Sequence, residues 1–341
     1  AVNWQGGLYW FKDQVDIESF SYDTLAGGVV NAYATQRQDN TAWAAFGSVD
    51  WQAAEDLVLR AGVRYTEDEK EFTGRRLQGA FGAPPIAPIS VNPTADNWSW
   101  DVAGTWTVAD DVNLYARVAK GFRAPAIQGR LAFANAALPA NQLVTVAQAE
   151  EVLSYEAGMK VALFEDRARL NLAVFNATVD NQQLTAVGGT ANFNSLLNAD
   201  EASLRGFEVD LEAYLTDQLL VTFGTGYNKT EIKDAGLAVA TCFNASVCRV
   251  TDPTIVRGGS TLALIDGNSL PQAPEWTTNF TARYGIALAN DAELYLYTDW
   301  AYRSEVNFFL YESTVFTGAP LLTGGVRVGY SWGLGQYEVA A

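Results

Sequence analysis

Three carboxylates at alternate positions, Glu208, Asp210 and Glu212, are the residues of this chain best spaced for acid/base chemistry. In an extended segment alternate side chains point the same way, so the three share one face and could pass a proton between them. The interleaved Phe207, Val209, Leu211 and Ala213 share the opposite face. A hydrated, charged wall accounts for this two-sided pattern better than a catalytic pair does. The 341 residues contain no histidine, which removes Ser-His-Asp and Cys-His nucleophile systems and any His-based metal site. Cys242 and Cys248 stand close together in the segment Thr241-Cys242-Phe243-Asn244-Ala245-Ser246-Val247-Cys248, with no second pair to complete a metal site. A disulfide between them would restrict the unfolded chain by roughly 2–2.5 kcal/mol and implies an oxidising compartment; two free thiols are the alternative. Gly27-Gly28 and Gly188-Gly189 lack the strand-to-helix setting of a phosphate cradle. No catalytic residue, metal site or cofactor is assigned.

The elements that position these residues follow from the same alternation. Val221, Phe223, Thr225 and Tyr227 interleave with Thr222, Gly224, Gly226 and Asn228 beyond a turn at Leu215-Thr216-Asp217-Gln218, so one face of this hairpin suits lipid and the other water. Such hairpins, with short acidic turns alternating with long Gly- and Asn-rich loops, point to an antiparallel transmembrane β-barrel. No run of 18 or more apolar residues supplies a transmembrane helix. A strand needs only every second residue apolar, which fits a hydrophobic fraction of 49%. The aromatic fraction is 12%, and Trp43, Trp51, Trp98, Trp106, Trp276, Trp300 and Trp332 fall near strand ends, as girdles at two lipid–water interfaces would place them. A net charge of −17 argues against a nucleic-acid partner, whose phosphates it would repel. No linker or change of texture divides residues 1–341, which read as one domain. The chain opens Ala1-Val2-Asn3-Trp4 without a signal peptide or initiator Met, so it is expected to be processed or cut from something longer.

Hairpin by hairpin, the pattern predicts a strand near Trp4 to Phe11, then a long loop, then strands Thr41 to Trp51 and Leu57 to Phe72. Gly74 to Pro93 reads as loop only. Further strands are expected at Trp98 to Thr107, Val112 to Gly121, Val152 to Leu163, Ala168 to Leu184, the hairpin around Leu204 to Tyr227, Pro274 to Ile286, Ala292 to Phe308 and Leu322 to Trp332. Gln336 to Ala341 begins a strand that stops midway, giving about twelve complete strands and part of a thirteenth. Arg60, Arg64, Arg117, Lys160, Arg283, Asp299 and Arg327 join the three carboxylates on the polar phase.

Leu114-Tyr115-Ala116-Arg117-Val118-Ala119-Lys120-Gly121-Phe122-Arg123-Ala124-Pro125 is similar to a strand-to-loop pattern, and Leu204-Arg205-Gly206-Phe207-Glu208-Val209-Asp210 to a strand start, of the barrel region of TonB-dependent outer-membrane receptors. Leu270-Pro271-Gln272-Ala273-Pro274-Glu275-Trp276 resembles the approach to a late strand, and Tyr337-Glu338-Val339-Ala340-Ala341 the beginning of the penultimate one. The resemblance covers essentially the whole chain. It implies a barrel of 22 strands, an N-terminal plug, a bacterial outer-membrane location, and energy delivered by the TonB–ExbB–ExbD complex. Plug, TonB box and final strand are missing here, so the chain would supply roughly the ninth to twenty-first strands. Its two open edges would then require partner strands before it could work in a membrane.

The function expected from this reading is TonB-energised uptake of a scarce ligand such as a siderophore, cobalamin or an oligosaccharide. Ligand contacts are expected from the loops Phe122 to Gln148, Thr185 to Asn198 and Asn307 to Gly318, and from Tyr115, Arg117, Arg123, Tyr295, Tyr297 and Phe308, because aromatic and Arg side chains supply most recognition energy. Arg123, between Gly121 and Pro125, could equally do no more than shape the exit of its strand. A passive porin is the alternative function. A barrel-shaped hydrolase is disfavoured by the missing histidine.

Overall fold

The computed structural model describes residues 1–188, 193–242 and 249–341. Thirteen strands follow one another as neighbours in a single antiparallel sheet. They are β1 (Val2–Asp23), β2 (Val29–Gln52), β3 (Leu57–Gln78), β4 (Thr94–Ala109), β5 (Val112–Arg123), β6 (Glu150–Leu163), β7 (Ala168–Gly188), β8 (Phe193–Tyr214), β9 (Leu219–Lys233), β10 (Trp276–Ala287), β11 (Glu293–Arg303), β12 (Leu321–Trp332) and β13 (Tyr337–Ala340). The two outermost strands, β1 and β13, each have one neighbour in this sheet. Every second connection is a short turn, at residues 53–56, 110–111, 164–167, 215–218, 288–292 and 333–336. Several of these turns hold residues at positive φ, such as Asn290 and Asp291, which matches the right-handed twist that tight hairpins demand. The longer connections gather at the opposite rim.

The register fixes the two faces. Arg60 lies opposite Ala103, then Arg117, Glu156, Phe175, Gly206 and Asn228 across successive strands. Lys160, Asn171, Asp210, Gly224 and Asn279 form a second row on that face, and Arg283, Tyr297 and Arg327 a third. The other face carries Leu59, Val63, Val102, Leu172, Val209, Leu211, Phe223, Leu296 and Val328. Its aromatic side chains lie in two belts. Trp43, Tyr65 and Trp98 are in ring contact, as are Phe207, Tyr227 and Trp276, while Tyr330, Trp332 and Tyr337 cluster at the short-turn rim. On β4 the outward Trp98 and Trp106 are about 26 Å apart along the strand, comparable to the apolar band of about 25 Å in transmembrane barrels.

Three expectations about loops are corrected. The segment between Phe11 and Thr41 is not a long loop: β1 and β2 run on as a hairpin that closes at Thr24–Ala26, Gly27 and Gly28. Its alternation is invisible in hydropathy because both faces turn polar, with Arg37 bonded to Asp39 and Gln14 on one side and Asn40 to Asp13 on the other. Within Gly74 to Pro93, Ile86–Val91 pairs back onto β3. The expected binding loop Thr185 to Asn198 is largely ladder, with Gly188 opposite Phe193.

Apolar cores sit at the long-loop rim. One packs Ala34 and Phe72 of β2 and β3 under Ile86, Leu131, Leu143 and Val144; the other packs Leu184, Ile232, Val239, Ile265, Leu310 and Tyr311. Burial pushes the Tyr311 phenol above its ordinary range. Arg76 is 1% exposed, and its guanidinium donates to the carbonyls of Pro84 (2.7 Å), Leu131 (3.2 Å) and Ala134 (2.6 Å), tying the first cap together.

Candidate functional site

The polar face of β3, β4 and β5 holds the densest basic group of the wall. Arg60 and Arg117 reach one shared carboxylate, Asp101, at 3.6 and 3.7 Å. Arg64 donates to Thr66 Oγ1 at 2.9 Å, and its guanidinium lies over the rings of Tyr9 and Phe46 at 5.2 and 5.8 Å. Ser48, Gly62, Ser99 and Ala119 leave a hollow of about 380 Å³ between them. Asp50 stands opposite Arg60 and Glu156 opposite Arg117, so three guanidiniums are matched by three carboxylates, of which Asp101 alone lies within ion-pair distance. Arg64, which has no ion pair among the described residues, can still offer an anion hydrogen bonds beside the rings of Tyr9 and Phe46. The alternation marked Arg60, Arg64 and Arg117 as inward; Asp101, which joins two of them, went unnoticed in the sequence because it is a lone acid among Trp98, Trp100 and Val102.

The sequence-predicted residues fall into separate places on this wall. Tyr115 lies flat over Gly158, donates to Glu156 Oε1 at 2.8 Å, and has Lys160 Nζ 6.0 Å from its ring centre. Two residues along β5, Arg117 lines the basic hollow, whereas Tyr115 lies outside it. Tyr295 and Tyr297 are six strands away on β11, on the order of 29 Å across the sheet. There Tyr295 lies over Gly329, donates to Glu338 Oε1 at 2.6 Å, and carries the Arg283 guanidinium 4.7 Å above its ring. Arg283 in turn pairs with Glu293 at 2.5 Å. Tyr297 stands opposite Arg283 and Arg327. A second hollow of about 340 Å³ is lined by Arg169, Asn171, Asp210, Glu212, Thr222 and Asn279, so two of the three evenly spaced carboxylates, Asp210 and Glu212, belong to a broad polar surface.

Arg123 and Phe308 are rim residues. Arg123 ends β5 and lies 3.7 Å from Glu150, whose carboxylate accepts from Gln183 N and Gln182 Nε2 at 2.6 and 2.9 Å. Gln183 Nε2 donates to Ala124 O (2.9 Å) and Gln148 O (3.0 Å), clamping both ends of the 124–149 loop. Phe308 is half exposed beside the short pairing of Val306–Asn307 with Thr317–Gly318. The six candidates thus do not converge on one site. Cys242 packs against the second apolar core; Cys248 lies outside the described residues. Among the described residues, no group of three or more His, Cys, Asp or Glu could hold a metal ion.

Similar solved structures share this sheet. The ferric yersiniabactin uptake receptor FyuA from Yersinia pestis superposes with a TM-score of 0.70 at 16% identity, over 97% of this chain and 44% of that one. The siderophore receptor PiuA from Acinetobacter baumannii gives 0.69 at 15%, over 99% and 48%, and the copper transporter OprC gives 0.67 at 15%, over 96% and 46%. The chain therefore spans less than half the length of each of these three, and at such identities they establish the fold alone. The family model for the TonB dependent receptor-like β-barrel matches residues 1–339. With its charged inner wall, apolar outer face and thirteen-stranded meander, the chain belongs to the TonB-dependent receptor β-barrel family.

Proposed function

We propose that residues 1–341 form one segment of the barrel wall of a bacterial outer-membrane receptor, which takes up a scarce ligand with energy delivered through the TonB–ExbB–ExbD complex. The observation that carries this reading is the hollow lined by Arg60, Arg64 and Arg117, two of which share the carboxylate of Asp101. On a chain of net charge −17, a cluster of three guanidiniums on the inner face, with Arg64 outside any ion pair among the described residues, is suited to an anionic ligand. A metal chelate is the first class to test, because FyuA is named for ferric yersiniabactin and PiuA as a siderophore receptor. Arg123, Phe308 and the two caps would meet the ligand first, Tyr115 and Arg117 would hold it within the wall, and Tyr295 and Tyr297 would line the far side. An oligosaccharide or cobalamin would use the aromatic side chains more than the guanidiniums.

The full-length protein tests this in cells. Uptake of a radiolabelled ferric chelate should depend on the protein and on TonB, and Arg60→Gln with Arg117→Gln should lower it by about tenfold or more, since two charge-assisted contacts are lost. TonB-independent passage of small neutral solutes, with open-channel conductance in planar bilayers, would establish a passive porin instead.

A further inference from the structure

On the outward face, Arg205 of β8 and Lys229 of β9 stand directly opposite each other in the ladder. They continue the phase of Phe207, Val209 and Leu211 on one strand and of Tyr227 and Phe223 on the next. Side chains so paired have Cβ atoms about 5 Å apart, and like charges there repel. Among the described residues neither has an ion-pair or hydrogen-bond partner; the ion pair Glu201–Lys233 (2.6 Å) lies four pairings further out in the ladder, the second on this face. Between them lies Ser203 opposite Glu231, and on the other flank Arg205 faces the uncharged Asn176. The basic pair is two residues beyond the ring cluster of Phe207, Tyr227 and Trp276, hence about 6–7 Å along the strand toward the long-loop rim. An aromatic belt marks the edge of hydrocarbon, so the next side chains outward lie among lipid headgroups. On β3 and β4 the same step beyond Tyr65 and Trp98 brings Glu67 opposite Asp96, a pair of acids. The outer belt is thus basic at β8–β9 and acidic at β3–β4.

We propose that Arg205 and Lys229 bind a phosphate of an outer-leaflet glycolipid, whose acyl chains lie against Phe207, Tyr227 and Trp276. The charge that opposes itself in the ladder is neutralised by the phosphate, and the acidic pair at β3–β4 leaves that part of the belt without such a site. This rests on the reading that the strands cross the outer membrane.

The test uses the full-length protein in detergent and in vesicles. Three probes are compared: a glycolipid carrying two phosphates, the same lipid dephosphorylated, and inorganic phosphate. Lipid carried per protein is read by native mass spectrometry, and insertion by heat-modifiable gel mobility in the same samples. Each basic residue near a charged headgroup is worth about a factor of five, so the Arg205→Gln, Lys229→Gln double variant should lose about 20-fold in retention of the phosphorylated lipid. Glu67→Gln and Arg205→Lys should retain it. If the double variant fails to insert, Lys229→Gln alone should still show a severalfold loss. Equal retention in the basic-site variants, equal retention of the dephosphorylated lipid, or displacement by inorganic phosphate at the lipid's concentration each overturns the site. A wild-type protein that does not insert at all overturns the membrane reading beneath it as well.

Discussion

Exchanging one residue on each face of β8 for arginine separates the two environments assigned to this sheet. Leu211 lies opposite Leu170 and Phe223, on the face of the aromatic belts. It is four residues from Phe207, about 13 Å along the strand and about 10 Å along the membrane normal at a tilt of about 40°. Half of an apolar band of about 25 Å is about 12 Å, so Leu211 sits within about 3 Å of the midplane. An arginine at that depth costs about 2–4 kcal/mol. Asp210, its neighbour in sequence, lies on the polar face between Asn171 and Gly224, with Glu208 and Glu212 two residues to either side. An arginine there meets water and acidic neighbours, at a cost of about 0.5 kcal/mol or less. The difference, at least about 1.5 kcal/mol, is a factor of about 12 or more in the folding equilibrium. Urea titration of the full-length protein in phospholipid vesicles, followed by tryptophan fluorescence, measures it for Leu211→Arg and Asp210→Arg. Equal losses, or a larger loss for Asp210→Arg, would refute the assignment of faces.

Arg76→Met should leave the carbonyls of Pro84, Leu131 and Ala134 without their donor, costing about 2–4 kcal/mol locally; hydrogen exchange should rise in residues 79–93 and 124–149, and a rise spread evenly over the strands would count against the latch. Gly329→Ala should drive its methyl into the Tyr295 ring and break the Tyr295–Glu338 bond, for about 1–3 kcal/mol; adding Tyr295→Ala should recover most of that cost, and strictly additive effects in urea titration would show that the two do not touch. Cys242 and Cys248 should resist thiol labelling on intact cells until a reductant is added, whereas labelling without reductant would identify free thiols.

The parts of the fold legible in the sequence are those where one face meets lipid. Leu57 to Tyr65, Trp98 to Trp106 and Phe207 to Tyr227 alternate because hydrocarbon and water lie a strand's thickness apart; the first two lie within single strands and the third is the hairpin of β8 and β9. Where both faces meet water, the ladder continues without that signature, which is why residues 12–40 read as loop although Phe20 stacks on Tyr33 at 4.6 Å and Tyr33 donates to Glu18 at 2.8 Å. The candidate site was half legible: alternation shows that Tyr115 and Tyr295 face inward, but the strand count between them sets their separation. Arg76 was not legible at all. Its partners are backbone carbonyls, which any residue supplies, on segments as far as 58 positions along the chain.

Two kinds of stabilisation meet at the long-loop rim, and their boundary bears on which substitutions such a wall can accept. Within the band, neighbouring strands are held by a ladder whose register a shift of one residue would invert, face for face. Beyond it, the caps are held as water-soluble domains are, by apolar cores around Leu131 and Ile265 and by a few polar ties to the strands. Those ties are specific: Arg76 anchors the first cap, Gln183 clamps both ends of the 124–149 loop, and Asn268 Nδ2 joins Asp252 Oδ2 to Leu310 O at 2.9 and 3.1 Å in the second. A substitution inside a cap can alter the surface that a ligand meets while these ties and the register persist. One at Asp101 acts differently, because it removes the ion-pair partner of Arg60 and Arg117 together, leaving Asp50 and Glu156 opposite them, while the ladder register is untouched.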